Sequence, residues 1–299
     1  MKDRQGARWI VGLILGAGLC VSGVSATVSD LPFLQTPPKY SQAPEFMGGA
    51  RGWIAYDHVW NQSQTPGLAH RLDTGTILTL YDSPSFALCA TGREVFRFMQ
   101  NPYGDWLLWA RDLVSDLRLQ LWAPLGPGNV DLGYRHDCKH DLETFYGRTA
   151  VHDAFVSGWS VPYRLCALPG NRQNNGWFGT VNVEGEVDLP HLFQSQSDEP
   201  DLGMIGLDNE LRLKIGQSVL EPWLRTRVSM QFLDTNSSVK QAGGIAVDGR
   251  ISLGFSVRGK AGSLDVSLSA ERLSDPWFNN EPESCEPIFL QVMLHADGQ

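Results

Sequence analysis

The densest cluster of groups able to do chemistry runs from Tyr134 to Asp141, YRHDCKHD: two histidines, one cysteine and four charged side chains in eight residues. A cysteine thiolate can attack an ester carbonyl, an imidazole can take the thiol proton, and a carboxylate can hold the imidazole in the required tautomer. A cysteine between two histidines also offers three donors to a soft divalent metal. Which chemistry is open depends on the direction of each side chain, and therefore on the elements that carry them.

The chain begins with a basic stretch (Lys2, Arg4, Arg8), an apolar run from Trp9 to about Val21 and a small-residue ending, Val24-Ser25-Ala26. This is the pattern of a cleaved export signal over 1–26. A membrane anchor is the alternative, but the apolar run is short and rich in glycine. Cys20 would leave with the signal. Loss of Lys2, Arg4 and Arg8 against Asp3 leaves 21 basic and 32 acidic residues, a formal charge of −11, which does not favour a nucleic-acid partner. Four cysteines remain (Cys89, Cys138, Cys166, Cys285) with no CxxC pair, so two disulfides are open and a zinc ribbon is disfavoured.

Residues 27–49 contain four prolines and no steady period, and read as an extended leader. From residue 50 to 299 the dominant signal is alternation of period two. Ile251, Leu253, Phe255 and Val257 share one face of GRISLGFSV, and Leu264, Val266, Leu268 and Ala270 share one face of GSLDVSLSA. Val181, Val183 and Val187 oppose Asn182, Glu184, Glu186 and Asp188. Leu211, Leu213 and Ile215 oppose Glu210, Arg212 and Lys214, and Leu224, Val228, Met230 and Phe232 oppose Arg225, Arg227 and Gln231. Long connections (near 191–202, 234–243 and 274–287) alternate with short ones (near 217–221 and 258–262). That is the pattern of an antiparallel transmembrane β-barrel of the outer membrane, with brief periplasmic turns and larger outer loops. Nine strands from about residue 106, and three near 52–60, 71–82 and 86–99, make about twelve, an even count that returns both ends to the periplasm. Tyr134, Trp159, Tyr163 and Trp177 fall near strand ends on apolar faces, where interface girdles sit. One feature disagrees: the last strand does not finish on an aromatic residue. A soluble periplasmic β protein is the alternative.

On this reading the strand 130–141 divides the cluster. Val130, Leu132, Tyr134, His136, Cys138 and His140 face outward, while Asp131, Arg135, Asp137, Lys139 and Asp141 face the lumen. A hairpin through GPGN would set Arg118 opposite Asp137, Asp116 opposite Lys139 and Trp122 over Gly133. The next hairpin, through LETFYG, would set Asp141 beside Arg148, Asp137 beside His152 and His136 beside Asp153. Asp116, Arg118, Arg135, Asp137, Lys139 and His152 are then expected to form a lumenal ion-pair network, because charges inside a barrel must be satisfied by one another or by water.

The outward set is different. Asp153 interrupts an apolar face (Val151, Phe155, Trp159, Val161) and needs a partner, which His136 can supply. Cys138, His136 and Asp153 then stand in the order nucleophile, base and orienting group. The pattern Tyr134, His136, Cys138 with Asp153 on the next strand resembles the outer-membrane phospholipase A family, twelve-stranded barrels with a His-x-Ser pair on the outward face of one strand and an orienting Asn on the next. It is similar also to the lipid A 3-O-deacylases, which use a His-x-Ser pair on the outer wall. Cys138 stands where those families have serine, Lys139 where they tend to have asparagine, and Asp153 where they have Asn or Glu. The resemblance implies lipid ester hydrolysis with His136, Cys138 and Asp153 catalytic.

Alternatives stand beside this. Cys138 could form a disulfide with Cys89, Cys166 or Cys285, which would remove the nucleophile. Donors two apart on a strand lie roughly 7 Å apart, too wide for His136, Cys138 and His140 to share one ion without bending, so no metal or other cofactor is expected. Two functions follow: a passive, porin-like or structural outer-membrane barrel with a charge-lined lumen, or a lipid-face acyl hydrolase. Either would have outer-membrane lipids, lipopolysaccharide and the barrel-assembly machinery as partners.

Overall fold

β-branched and aromatic residues at alternate positions, bounded by glycine- and proline-containing turns, produce strands along the whole barrel region. The computed structural model describes residues 38, 40–60, 69–99, 109–142, 149–167, 175–189, 201–215, 218–233, 245–272 and 288–298. Within them lie twelve strands: β1 (Glu45–Val59), β2 (His70–Asp82), β3 (Ala87–Met99), β4 (Trp109–Leu125), β5 (Gly128–Asp141), β6 (Thr149–Ala167), β7 (Gly176–Asp188), β8 (Asp201–Lys214), β9 (Leu220–Leu233), β10 (Ile245–Arg258), β11 (Gly262–Arg272) and β12 (Ile288–Gly298). Each strand pairs antiparallel with its neighbours, and β1 pairs with β12 to close the barrel. The seam runs from Ala50↔Gly298 to Val59↔Phe289, so closure is complete although β12 lacks a terminal aromatic residue. The proposed export signal and most of the proline-rich leader lie outside the described residues. β1 begins at Glu45, within the stretch read as leader.

The outward stripes are the apolar ones. Leu253, Ile251, Phe255, Val187, Val183, Leu207 and Leu268 are exposed on the wall, whereas Glu184, Glu186, Arg225, Gln231, Asp265 and Ser269 are buried inside. This is the reverse of a soluble sandwich, whose apolar face would be covered. The bore is filled. In the half nearer the chain termini and the short turns, Trp53, Ala55, Ile77, Cys89, Trp122 and Met293 pack together. Toward the long-loop end, ion pairs join adjacent strands and also cross the bore between strands that are not neighbours. Arg71 on β2 bonds Glu271 on β11 at 3.2 Å and Asp57 on β1 at 2.6 Å, and Arg250 on β10 meets the same Glu271 at 2.6 Å.

The β4–β5 register differs from the sequence expectation by two residues. Only Gly126 and Pro127 form the turn, with Gly126 at φ 58°, the left-handed conformation that tight hairpins require and glycine adopts without strain. A four-residue GPGN turn is therefore replaced by a two-residue one. Arg118 lies opposite Arg135, Asp116 opposite Asp137 and Trp122 opposite Asp131; Lys139 pairs with Val114 rather than Asp116. The β5–β6 register agrees, with Asp137↔His152 and His136↔Asp153. Arg148, expected beside Asp141, lies outside the described residues, as do the side chains of Lys139 and Asp141.

Candidate active site on the outer wall

Because β5 alternates, its odd residues enter the lumen and its even residues face outward. The lumenal side is an interlocked set of ion pairs. Arg135 reaches Asp137 at 2.6 Å, Glu186 on β7 at 2.8 Å and Asp116 at 3.4 Å, while Arg118 reaches Asp116 and Glu184 at 3.1 Å. His152 Nδ1 lies 2.9 Å from Asp137 Oδ1, and its Nε2 lies 2.6 Å from Asp188 Oδ1. The like charges that face each other across β4 and β5 are thus compensated along each strand and across to β7. His152, Glu186 and Asp188 bring donor atoms within 4.8 Å of one another. The imidazole is already held by two carboxylates there and Glu186 by Arg135, so this arrangement serves as an ion-pair network.

The outward side gathers different chemistry. His136 Nδ1 lies 2.8 Å from Asp153 Oδ1, and the Tyr134 hydroxyl donates to that same oxygen. Two donors thereby satisfy a carboxylate on a wall that faces hydrocarbon, and Asp153 is only 6 % exposed although its strand face points outward. A ring nitrogen that donates to a fixed carboxylate fixes the tautomer in which the other nitrogen carries the basic lone pair. Cys138 carries a free thiol, as do Cys89 and Cys166; Cys285 lies outside the described residues. The Cys138 sulfur is 3.2 Å from His140 Nε2. The expected triad residues therefore share one outward face, with His136 and Asp153 in direct contact and the thiol in contact with the second imidazole, His140. The three donors of H-x-C-x-H do not converge, since His136 turns to Asp153 and Cys138 to His140.

Two outward residues not named from the sequence complete the patch. Ser115 on β4 is the cross-strand partner of Cys138 and hydrogen-bonds it. Its own hydroxyl donates to Glu94 Oε2 on β3 at 2.6 Å. Beside them the wall is indented by a cavity of about 500 Å³, lined on the outward side by Thr74, Thr76, Gly92, Glu94, Ser115, Leu117 and His136. Glu94 and Ser115 break otherwise apolar outward stripes (Leu88, Ala90, Phe96 on β3; Leu113, Leu117, Leu119 on β4), the same signal that marks Asp153 on β6.

No family model and no curated protein sequence matches the chain. Solved structures do match. The chain is similar to LpxR from Salmonella typhimurium, at 7% identity and a TM-score of 0.51 over 82% of this chain and 99% of that one. It is similar also to outer membrane phospholipase A from Escherichia coli (11% identity, 82% of this chain and 92% of that one, TM-score 0.43) and to the NanC porin (8% identity, 83% and 98%, TM-score 0.45). The similarity to LpxR shows the fold: this chain has the fold of an outer-membrane β-barrel.

Proposed function

We propose that the protein resides in the outer membrane and is an acyl hydrolase acting at the outer face of its barrel wall on ester-linked lipids. The observation that carries the reading is the 2.8 Å contact between His136 Nδ1 and Asp153 Oδ1 on the outward face that also presents Cys138. A structural barrel has no use for an oriented imidazole and a free thiol facing hydrocarbon, where each polar group is costly. The filled bore supports the same choice, because ion pairs such as Arg71–Glu271 and Arg118–Glu184 cross the path that a porin-like solute would take.

His140 takes the proton of Cys138, and the thiolate sulfur attacks the ester carbonyl carbon. The carbon–oxygen bond to the alcohol breaks, the alcohol leaves with a proton from the imidazolium, and a thioester remains on Cys138. Asp153 holds His136 in the tautomer that leaves the lone pair on Nε2, and Nε2 removes a proton from water, which attacks the thioester carbonyl carbon. The carbon–sulfur bond breaks, the fatty acid leaves, and the proton held by His136 passes to the Cys138 sulfur, regenerating the thiol. Lipids and lipopolysaccharide contact this wall, and the barrel-assembly machinery inserts it. The test is turnover of phospholipid and of lipopolysaccharide by the detergent-folded wild type beside Cys138→Ala and His136→Ala. The proposal expects both variants to fold, as read by the electrophoretic mobility of the unheated barrel, and to lose ester cleavage. Full activity in either variant would remove that residue from the mechanism.

A further inference from the structure

The carboxylate of Glu94 is the feature of the outer wall that hydrolysis does not use. Among the described residues it receives one hydrogen bond, from Ser115, and no ion pair. Phe96 and Phe98 stack above it on the same outward stripe, and Gly92 lies below it. A carboxylate between aromatic rings and a lipid-facing glycine requires a compensating cation, or is unfavourable where it stands. The cavity supplies room for one. A Cβ built on Gly92 would meet no atom within 4 Å, so the space beside Glu94 is open to the membrane side. Thr74 and Thr76 line the far side of that space and His136 the near side; Arg93, the one Lys or Arg in the lining, is held by Asp73 at 2.5 Å on the lumenal side.

The placement relative to the thiol selects the ligand. Register sets Glu94 opposite Ser115 and Ser115 opposite Cys138, so the three lie in one row on β3, β4 and β5. Two strand spacings, about 10 Å, separate the carboxylate from the sulfur. A glycerophospholipid with its ester carbonyl at Cys138 has a headgroup that spans this distance. A terminal ammonium would reach Glu94. A terminal phosphate or a neutral glycerol would gain nothing there, and a phosphate would be repelled. We propose that the cavity beside Glu94 is a headgroup subsite that prefers glycerophospholipids ending in an ammonium group to anionic lipids. This rests on the acyl-hydrolase reading for the position of the ester, and names the substrate class of that site.

The experiment uses the full chain folded in detergent, with phosphatidylethanolamine, phosphatidylglycerol of the same acyl chains, and lipid A as probes. Turnover is measured for the wild type and Glu94→Gln, and lipid binding by native mass spectrometry for Cys138→Ala and the Cys138→Ala/Glu94→Gln double variant. Folding of each is checked by unheated electrophoretic mobility. The proposal expects the wild type to prefer the ethanolamine lipid by about tenfold, the size of one charge-assisted contact, and Glu94→Gln to bring the ratio close to one. Ser115→Ala, which removes the hydrogen bond without removing the charge, should retain the preference. Equal turnover of the two phospholipids, or faster turnover of lipid A, overturns the subsite while leaving the hydrolase intact. Absence of turnover by the wild type, with ethanolamine-selective binding by Cys138→Ala that the double variant loses, overturns the hydrolase while leaving the subsite intact.

Discussion

Strand β5 supplies two regions with the same kinds of side chain. Inward, Arg135 and Asp137 are locked into ion pairs with Asp116, Glu186 and His152, every one of them buried. Outward, one residue away along the chain, His136 and Cys138 meet Asp153, His140 and Ser115 beside an open cavity. Both regions contain a histidine held by an aspartate. In the lumen both nitrogens of His152 lie against carboxylates, so the ring is spent on holding strands together. On the wall His136 gives one nitrogen to Asp153 and lines the cavity, on the same outward strand face as Cys138. The difference lies in the side of the wall to which the held imidazole is presented.

That contrast can be broken from either side. The largest effect is expected in the lumen: Arg135→Ala leaves Asp116, Asp137 and Glu186 short of a cation and should cost about 3–5 kcal/mol, read as a lowered urea midpoint of the vesicle-folded barrel. Lipid turnover by the fraction that remains folded should be nearly unchanged. Asp153→Asn keeps the shape of the outward pair but weakens its hold on the tautomer, and should lower kcat about a hundredfold with KM little altered, in steady-state lipid hydrolysis. His140→Ala removes the imidazole in contact with the sulfur, and should slow alkylation of Cys138 by iodoacetamide about tenfold at neutral pH. The smallest effect is expected from Gly92→Leu: the side chain has room to fit, so folding is retained, while the filled cavity raises KM for lipid about threefold.

The fold was largely legible because alternation has only two phases. Once Leu253, Phe255 and Val257 share a face, every neighbouring residue is assigned, and the exposure of those three on the wall agrees with that assignment. The His136–Asp153 and Asp137–His152 pairs were legible for the same reason, through a register that holds. The β4–β5 pairs were not, because GPGN leaves open whether two or four residues turn, and the φ of Gly126 decides. Contacts such as Cys138 to His140 depend on side-chain rotation, which alternation does not encode. Glu94 and Ser115 were legible in principle as polar interruptions of apolar stripes, but their convergence with Cys138 requires three strands to be in register at once. Crossings of the bore such as Arg71 to Glu271 join residues far apart in sequence, and no local pattern announces them.

The most direct test is the mass of Cys138 during turnover. Wild-type protein incubated with an excess of ester-linked phospholipid and quenched in acid should yield a Cys138-bearing peptide heavier by one acyl group, sensitive to hydroxylamine, and Asp153→Asn, in which hydrolysis of the thioester is slowed, should accumulate more of it. Lipid cleavage that proceeds with Cys138 unmodified, and continues in Cys138→Ala, would contradict the account.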